Sequence, residues 1–395
     1  MASILIQEQP LSISLGKSPL IYAFLSTDYA FDDFEYIADV HLWQGDIDMA
    51  PAAYTYRLRK PRNATTGAAT VDISSLVSDW FINMPITFSS ISDVEEMTVF
   101  ALIRFGYSYI DGSGTYQEYL KVADSNRITV LNGFSLYSEQ INTMPVPHGG
   151  FSTYTNWLTS RPLISSVPND TLLFMSMYFI DTTAQKIKFK IYTDSTTEEV
   201  YTTMTGSDVG LKVIGVGVPQ LPSHTTADED IIGYEVSTVT TANAQVSNVY
   251  KFNIIEPCKY GYVNVQFMNR FGQWDNMIFL GAQSESFEID KEEAMFSPLS
   301  LDNSSEFDFQ RHKGQFHNVA INGRDTLTLN TGWVDENING SLHELLLSEK
   351  VFNADTLEPL TITTKSLKMQ SNLNDKLINY TLQFKKAFTY INTVN

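Results

Sequence analysis

Cysteine is all but missing from this chain, whose 395 residues hold only Cys258. A single thiol excludes a disulfide framework within the chain and any zinc site that needs several cysteine ligands. It fits folding in a reducing cytosol. Basic residues are also scarce. Lys and Arg number 26 against 45 Asp and Glu, a formal net charge of −19, and 18% of residues are charged, where an average soluble protein has roughly 25%. Such a chain repels polyanions, which argues against duplex DNA or an anionic membrane as its main partner. Only a local basic patch escapes that argument. No stretch approaches the ~18 consecutive apolar residues of a membrane-spanning helix, so none is expected. The opening MASILIQEQPLSISLGKSPL has no basic n-region and no apolar run ahead of a small-residue cleavage site, so a secretory leader is not expected either.

Catalytic signatures are missing as well. Among the six histidines, the nearest pair, His312 and His317, is five apart, which suits neither an i, i+4 metal pair nor an HExxH zinc motif. There is no G-x-S-x-G nucleophile elbow and no Walker sequence. Gly215-Val-Gly217 lacks a third glycine and a following helix, so it reads as strand with close backbone approach rather than a phosphate cradle. Adjacent carboxylates at Asp32-Asp33, Glu95-Glu96, Glu198-Glu199 and Glu292-Glu293 are what an acidic chain supplies without selection for chemistry. Asp46-Ile-Asp48 and Asp228-Glu-Asp230 carry hard oxygens but not the calcium-loop pattern, and read as solvated loop charge. The expectation is a protein that is not an enzyme and has no cofactor and no metal.

What is abundant is aromatic and apolar: 24 Phe, 20 Tyr and 5 Trp make 12% of the chain, and 43% is hydrophobic. That rules out disorder over most of the length and supplies several cores. At ~100–200 residues per domain the length implies about two to four. Period-two alternation recurs throughout, as in FEYIADVHLW (34–43) and YTYRLRK (54–60). Asp111-Gly-Ser-Gly114 between two apolar runs predicts a hairpin, and Asn269-Arg-Phe-Gly272 a second, with Gly272 free to take positive φ and Asn269 able to bond its own backbone. KIKFK (186–190) places three lysines on one face of a strand, a device of protected edge strands. Two short helices are expected: 74–81, capped by Ser74 or Ser75, and 341–348, with Ser341 as N-cap and Glu344 in the capping-box position. The predicted class is all-β with minor α, in tandem β-sandwich-like domains: 1–145, a central β-rich domain 146–298 that includes a Pro/Gly connector at 146–170, and an α+β domain 299–395 with the second helix.

Seven residues stand out as candidates. Trp80, Trp274 and Trp333 are expected core anchors, with Gly272 as the turn that returns Trp274 to its sheet. Phe151, Tyr154 and Trp157, in the connector, are candidates for a partner contact or for a platform on which a glycan stacks; core and interface packing is the stronger reading of such aromatics.

Three blocks carry a resemblance: FEYIADVHLW … YRLRKPRN … ATVDISSLVSDWF near the start, EPCKYGYVNVQFMNRFGQWD (256–275), and TLNTGWVDENINGSLHELLLSEKVF with the later NDKLINYTLQF. Together they resemble structural, tail-associated proteins of tailed bacteriophages infecting Bacteroidetes, including crAss-like podoviruses. The resemblance implies a virion component made in the host bacterial cytoplasm, located in the tail, and contacting other tail and neck proteins. It implies a symmetric homo-oligomer, six or twelve copies being preferred, around the DNA conduit. An acidic wall suits such a conduit, because like charge does not hold passing DNA. No specific nucleic-acid or membrane binding is expected. The alternative reading is a receptor-binding or adaptor module for host surface glycan; a polysaccharide depolymerase and a cellular adhesin rank behind it.

Overall fold

The computed structural model describes residues 3–27, 29–81, 92–93, 97–135, 157–179, 185–204, 210–225, 227, 230–256, 261–301, 307–309, 312, 314–368 and 377–391. Strand accounts for 54% and helix for 7%, so the chain is mostly β, as its alternation predicts. It divides into two compact units. The first comprises 1–256 together with 266–276 and 340–349; the second comprises 257–265, 277–339 and 350–395. The expected boundary at 145 falls outside the described residues, and that at 298 lies inside the second unit.

The first unit opens with a sandwich. One face is a three-stranded sheet of Ile4–Glu8, Ile21–Ser26 and Ala69–Asp72. The other is six-stranded, centred on the antiparallel pair Asp32–Trp43 and Thr98–Ile110. Alternate residues of both sheets enter one core: Tyr22, Phe24 and Val71 from the first, Tyr36, Val40, Ile103 and Phe105 from the second. Phe24 spans the gap, with ring centroids 4.4 Å from Phe105 and 5.0 Å from Tyr36. The Asp111 hairpin forms as its turn chemistry dictates. Asp111 Oδ1 accepts from Ser113 N at 3.0 Å and Thr115 N at 2.9 Å, and Gly114 sits at φ +81°. These donors, with the Ser113 hydroxyl first, hold the Asp111 carboxyl down to about 2.

Helix α1 covers Ser74–Ser78, shorter than its apolar spacing suggests. Neither expected serine caps it. Asp72 Oδ1 takes that role, accepting from Ser74 N at 2.9 Å and from Leu20 N at 3.0 Å, which ties the helix start to the sheet.

Two further sheets follow in this unit. One has five strands, in the order Ile164–Val167, Tyr250–Ile254, Gly233–Thr240, Gln185–Tyr192 and Thr197–Thr203. The other contains Phe174–Phe179, Gly210–Gly215 and Ser92–Asp93. The KIKFK strand is therefore interior, paired on both sides, and its lysines do not guard an edge. Gly217 is a close approach: a Cβ there would run into the Thr171 carbonyl.

The Asn269–Gly272 turn forms, and it is buried. Asn269 Oδ1 accepts from Phe271 N at 3.0 Å and Gln273 N at 3.1 Å, while its amide donates to Leu158 O at 2.8 Å. Gly272 has φ +72°, and a Cβ on it would collide with the Asn132 backbone. Gly133 is the reciprocal case, its missing Cβ making room for the Arg270 carbonyl. Phe134 N then donates to Arg270 O at 2.8 Å. Two stretches of backbone thus lie in direct contact where any side chain would hold them apart.

The second unit is built on a seven-stranded sheet ordered Trp274–Phe279, Val263–Met268, Val351–Asn353, Pro359–Ile362, Thr381–Ile391, Phe316–Asn330 and Ser284–Met295; residues 266–276 count with the first unit. Its core gathers near Leu329, Leu382 and Phe384, with Phe279 edge-on to Phe384 at 5.8 Å. Helix α2 spans Asn339–Leu347, starting two residues before the expected N-cap, and from residue 340 it counts with the first unit. A single 3-10 turn, Glu336–Ile338, leads into it, capped by Asp335 accepting from Asn337 N at 2.9 Å. Ser341 and Glu344 are inside the helix and bond elsewhere.

Gly272→Ala is expected to destabilise the chain by about 3 kcal/mol or more, since strain and collision act together. Gly112→Ala, where an added Cβ meets nothing within 4 Å, is expected to change stability by under about 0.5 kcal/mol. Urea denaturation of both variants beside the parent checks the contrast.

Candidate assembly surfaces

The most concentrated polar chemistry is sealed inside the first unit. Arg161 lies at the end of the Pro/Gly connector and Asp275 just past the buried turn, with side chains 6% and 3% exposed. The guanidinium donates to Asp275 Oδ1 from Nη2 at 2.6 Å and from Nε at 3.1 Å, and its Nη2 also donates to Asn276 O at 2.7 Å. The Thr159 hydroxyl donates to the other carboxylate oxygen. Beside this pair, the Glu344 carboxylate accepts from the Ser160 hydroxyl at 2.5 Å and from Arg270 N at 3.3 Å. Ser341 of the same helix donates to Ser160 O at 3.0 Å. Burial pushes the Glu344 carboxyl up to about 7, against the lowering effect of the Ser160 and Arg270 bonds. A carboxyl near 7 beside a buried ion pair has the electrostatics of catalytic apparatus, but the Arg161 and Asp275 side chains are closed off from any reactant. What the arrangement does is bind the connector, the turn and α2 together. The nearby groove lined by Lys17, Asn132, Phe134, Met268 and Leu347 is about 280 Å³, below the roughly 300–1,000 Å³ of ligand pockets, and the Lys17–Glu349 ion pair at 2.8 Å stands among its lining residues.

The singled-out aromatics are scattered. Trp274 is 1% exposed, beside the Gly272 turn. Trp80 is half-buried, packing on the edge of the sandwich core. Trp333 is 71% exposed and anchors no core; it follows Gly332 in a bend at φ +72° that leaves its indole in solvent. Trp157 has the packing role that is the stronger of its two readings. It is 2% exposed, bridges by backbone to Met177 of one sheet, and meets the Tyr250 ring of the other edge-on at 6.4 Å. Its indole N–H donates to Ser247 Oγ at 3.3 Å. No ring face remains for a saccharide, so Trp157 is an inter-sheet anchor and not a glycan platform. Phe151 and Tyr154 lie outside the described residues, as do Cys258 and two of the three acids at 228–230. Asp46 and Asp48 are engaged within their loop: Asp46 accepts from Asp48 N at 2.8 Å, and Asp48 pairs with Arg127 at 2.5 Å. Among the described residues no group of three or more His, Cys, Asp or Glu is placed to hold a metal.

Two surfaces stand apart. The first is the outer end of the second unit's sheet. At the root of the Thr381–Ile391 strand, burial alternates, with Leu382 and Phe384 buried between exposed neighbours. From 387 to 390 the alternation stops and every residue is exposed. The edge strand Ser284–Met295 is exposed almost throughout, and so is the Phe316–Asn330 strand over 316–319. Loss of alternation means that neither face of this ribbon is covered. It nevertheless carries Phe287, Ile289, Met295, Phe316, Phe388 and Tyr390, each more than half exposed. Phe287 lies over Gly323 and meets Tyr390 at 5.5 Å.

The second surface is the outer face of the five-stranded sheet. Ile187, Phe189 and Ile191 point inward and are buried, leaving Lys186, Lys188 and Lys190 outward. Lys251, opposite Glu235 on a neighbouring strand, joins them. Tyrosines hold the ammonium groups over their rings: Lys186 and Lys188 at 5.6 and 5.9 Å from Tyr201, Lys190 and Lys251 at 5.1 and 5.9 Å from Tyr192. Lys188 also pairs with Glu199 at 2.6 Å. The Glu199 bond raises the Lys188 ammonium above its ordinary range, and Tyr192 does the same for Lys190, so both stay charged at neutral pH.

No family matches the chain, and no curated protein matches it. Among solved structures it is similar to a marsupial T cell receptor, at 9% identity and a TM-score of 0.19, covering 83% of this chain and 96% of that one. It is similar also to the full extracellular region of plexin A4, domains 1 to 10, at 6% identity and a TM-score of 0.17, covering 66% of this chain and 22% of that one. Scores this low carry no argument about fold or function.

The Glu344 environment generates a pH signature. A carboxyl whose pKa is higher in the folded chain binds its proton more tightly there, so its contribution favours folding at low pH. That contribution is lost as pH rises from about 4.5 through about 7. Glu344→Gln is expected to remove this loss. Relative to the parent, the variant gains ~3 kcal/mol between pH 4 and pH 8, read from urea denaturation at both pH values.

Proposed function

We propose that this chain is a structural component of a bacteriophage virion, a tail ring or tail assembly protein that works as a symmetric homo-oligomer around the DNA conduit. The observation that carries the reading is the ribbon of the second unit. A few paired strands with no covered face are marginal in water, and a contiguous exposed apolar patch marks a surface that another molecule covers. An assembly subunit has such an element because its neighbour completes it. The resemblance of three sequence blocks to tail-associated proteins of phages infecting Bacteroidetes supports the same reading, and the net charge of −19 suits a wall past which DNA slides. The proposal includes six or twelve copies, contacts with other tail and neck proteins, and a place in the virion after synthesis in the host cytoplasm. It assigns no reaction and no cofactor.

Light scattering at several concentrations, followed by negative-stain imaging, tests it. Rings of one defined symmetry are the expected result; a monomer at every concentration, or particles of no fixed symmetry, counts against it. Ile289→Asp with Phe388→Asp is expected to shift the mass toward monomer. The melting temperature of the single chain should move by no more than about 2 °C, because both sites are exposed in it.

A further inference from the structure

The carboxylate row of the ribbon and the lysine row match each other in sign and in spacing, with Arg324 and Lys385 beside the first row and Glu199 and Glu235 beside the second. Along the edge strand Ser284–Met295, Glu288, Asp290 and Glu292 project from one face, while Phe287 and Ile289 occupy the other. Along Gln185–Tyr192, Lys186, Lys188 and Lys190 project from the outer face of their sheet. Both rows repeat every second residue, about 6.8 Å in a strand, so three carboxylates and three ammonium groups fall into register when the sheets stack. The lysine row and Glu288 are already held in place. Glu288 is fixed by Lys385 at 2.7 Å, and the lysines are fixed by the Tyr192 and Tyr201 rings and by Glu199. Pre-positioned charges lose less conformational entropy on contact than free ones.

Resting on the homo-oligomer reading above, we infer that the Lys186–Lys188–Lys190 face of one copy receives the Glu288–Asp290–Glu292 face of the ribbon of a second copy. The two patches are different surfaces of the same chain, so the contact is head-to-tail. Such contacts generate a ring where the rotation closes and a filament where it does not. Face-to-face stacking places sheets about 10 Å apart, a gap that a lysine and a glutamate span end to end. The charges set register and partner choice, and the apolar side of the ribbon, on the opposite face, is left outside this contact.

A charge swap in trans tests this. One variant carries K186E, K188E and K190E; the other carries E288K, D290K and E292K. Alone, each presents like charges to itself and is expected to remain monomeric by light scattering at concentrations where the parent associates. Mixed in equal amounts, the two are expected to associate again in alternation, which also demonstrates that both are folded. The milder K186Q/K188Q/K190Q variant keeps the side-chain stems and is expected to weaken self-association about tenfold or more. Parent association that persists unchanged in all three variants, or a mixture that stays monomeric while the parent associates, overturns this contact and leaves the homo-oligomer standing. A parent that never associates overturns both.

Discussion

The join of the connector, the buried turn and α2 in the first unit depends on one buried ion pair. Arg161 and Asp275, 114 residues apart, meet where almost no water reaches them. Desolvating both charges costs several kcal/mol each, and the attraction repays that only where further hydrogen bonds reach the pair. Thr159, Asn276 and the paired geometry of the guanidinium supply those bonds. That network holds residues 159–161 against 275 and 276. It fixes where the connector ends, and with it the turn whose Gly272 and whose neighbour Gly133 allow backbone to rest on backbone. Geometry at that point is set by charge and by the absence of two methyl groups, more than by hydrophobic fill.

The outer surfaces follow the opposite logic. The ribbon is held at its root by Leu329, Leu382 and Phe384, and among the described residues none covers it over 387–390 or 316–319. The lysine face is ordered by aromatic rings rather than by burial. The buried network closes on side chains and backbone of the first unit itself, while the ribbon and the lysine face lie at the surface.

Much of this was legible in the sequence, and what was not has identifiable causes. Period-two alternation and turn chemistry are local, so the strands and the Asp111 and Asn269 turns could be read directly. The lysine row was legible too, but its place in the sheet was not: alternation tells which side chains share a face and says nothing about how many neighbours a strand has. The start of α2 was misread because Ser341 and Glu344 have the spacing of a capping box, while Ser160 and Arg270, distant in sequence, engage them instead. Tryptophan burial was legible at Trp274 and, in the stronger of its two readings, at Trp157, but Trp333 reads as an anchor and lies in solvent. Spacing around a single large residue does not report what packs on it. The Arg161–Asp275 pair had no signal at all in the sequence, since nothing local distinguishes Arg161 from other arginines.

The first unit is assembled from three separated stretches, the last ending at residue 349. A ribosome releases the amino end first, at about 5–20 residues per second. The chain through residue 256 therefore exists for roughly 5–20 seconds before 349 has been made. During that interval Arg161 waits for Asp275, and the glycine at 133 faces a turn not yet in place. The sandwich can form early, but the unit cannot lock until residue 349 has been translated. Its final closure is an event of late synthesis, and a chain that stalls short of α2 has no Glu344 to draw Ser160 into position.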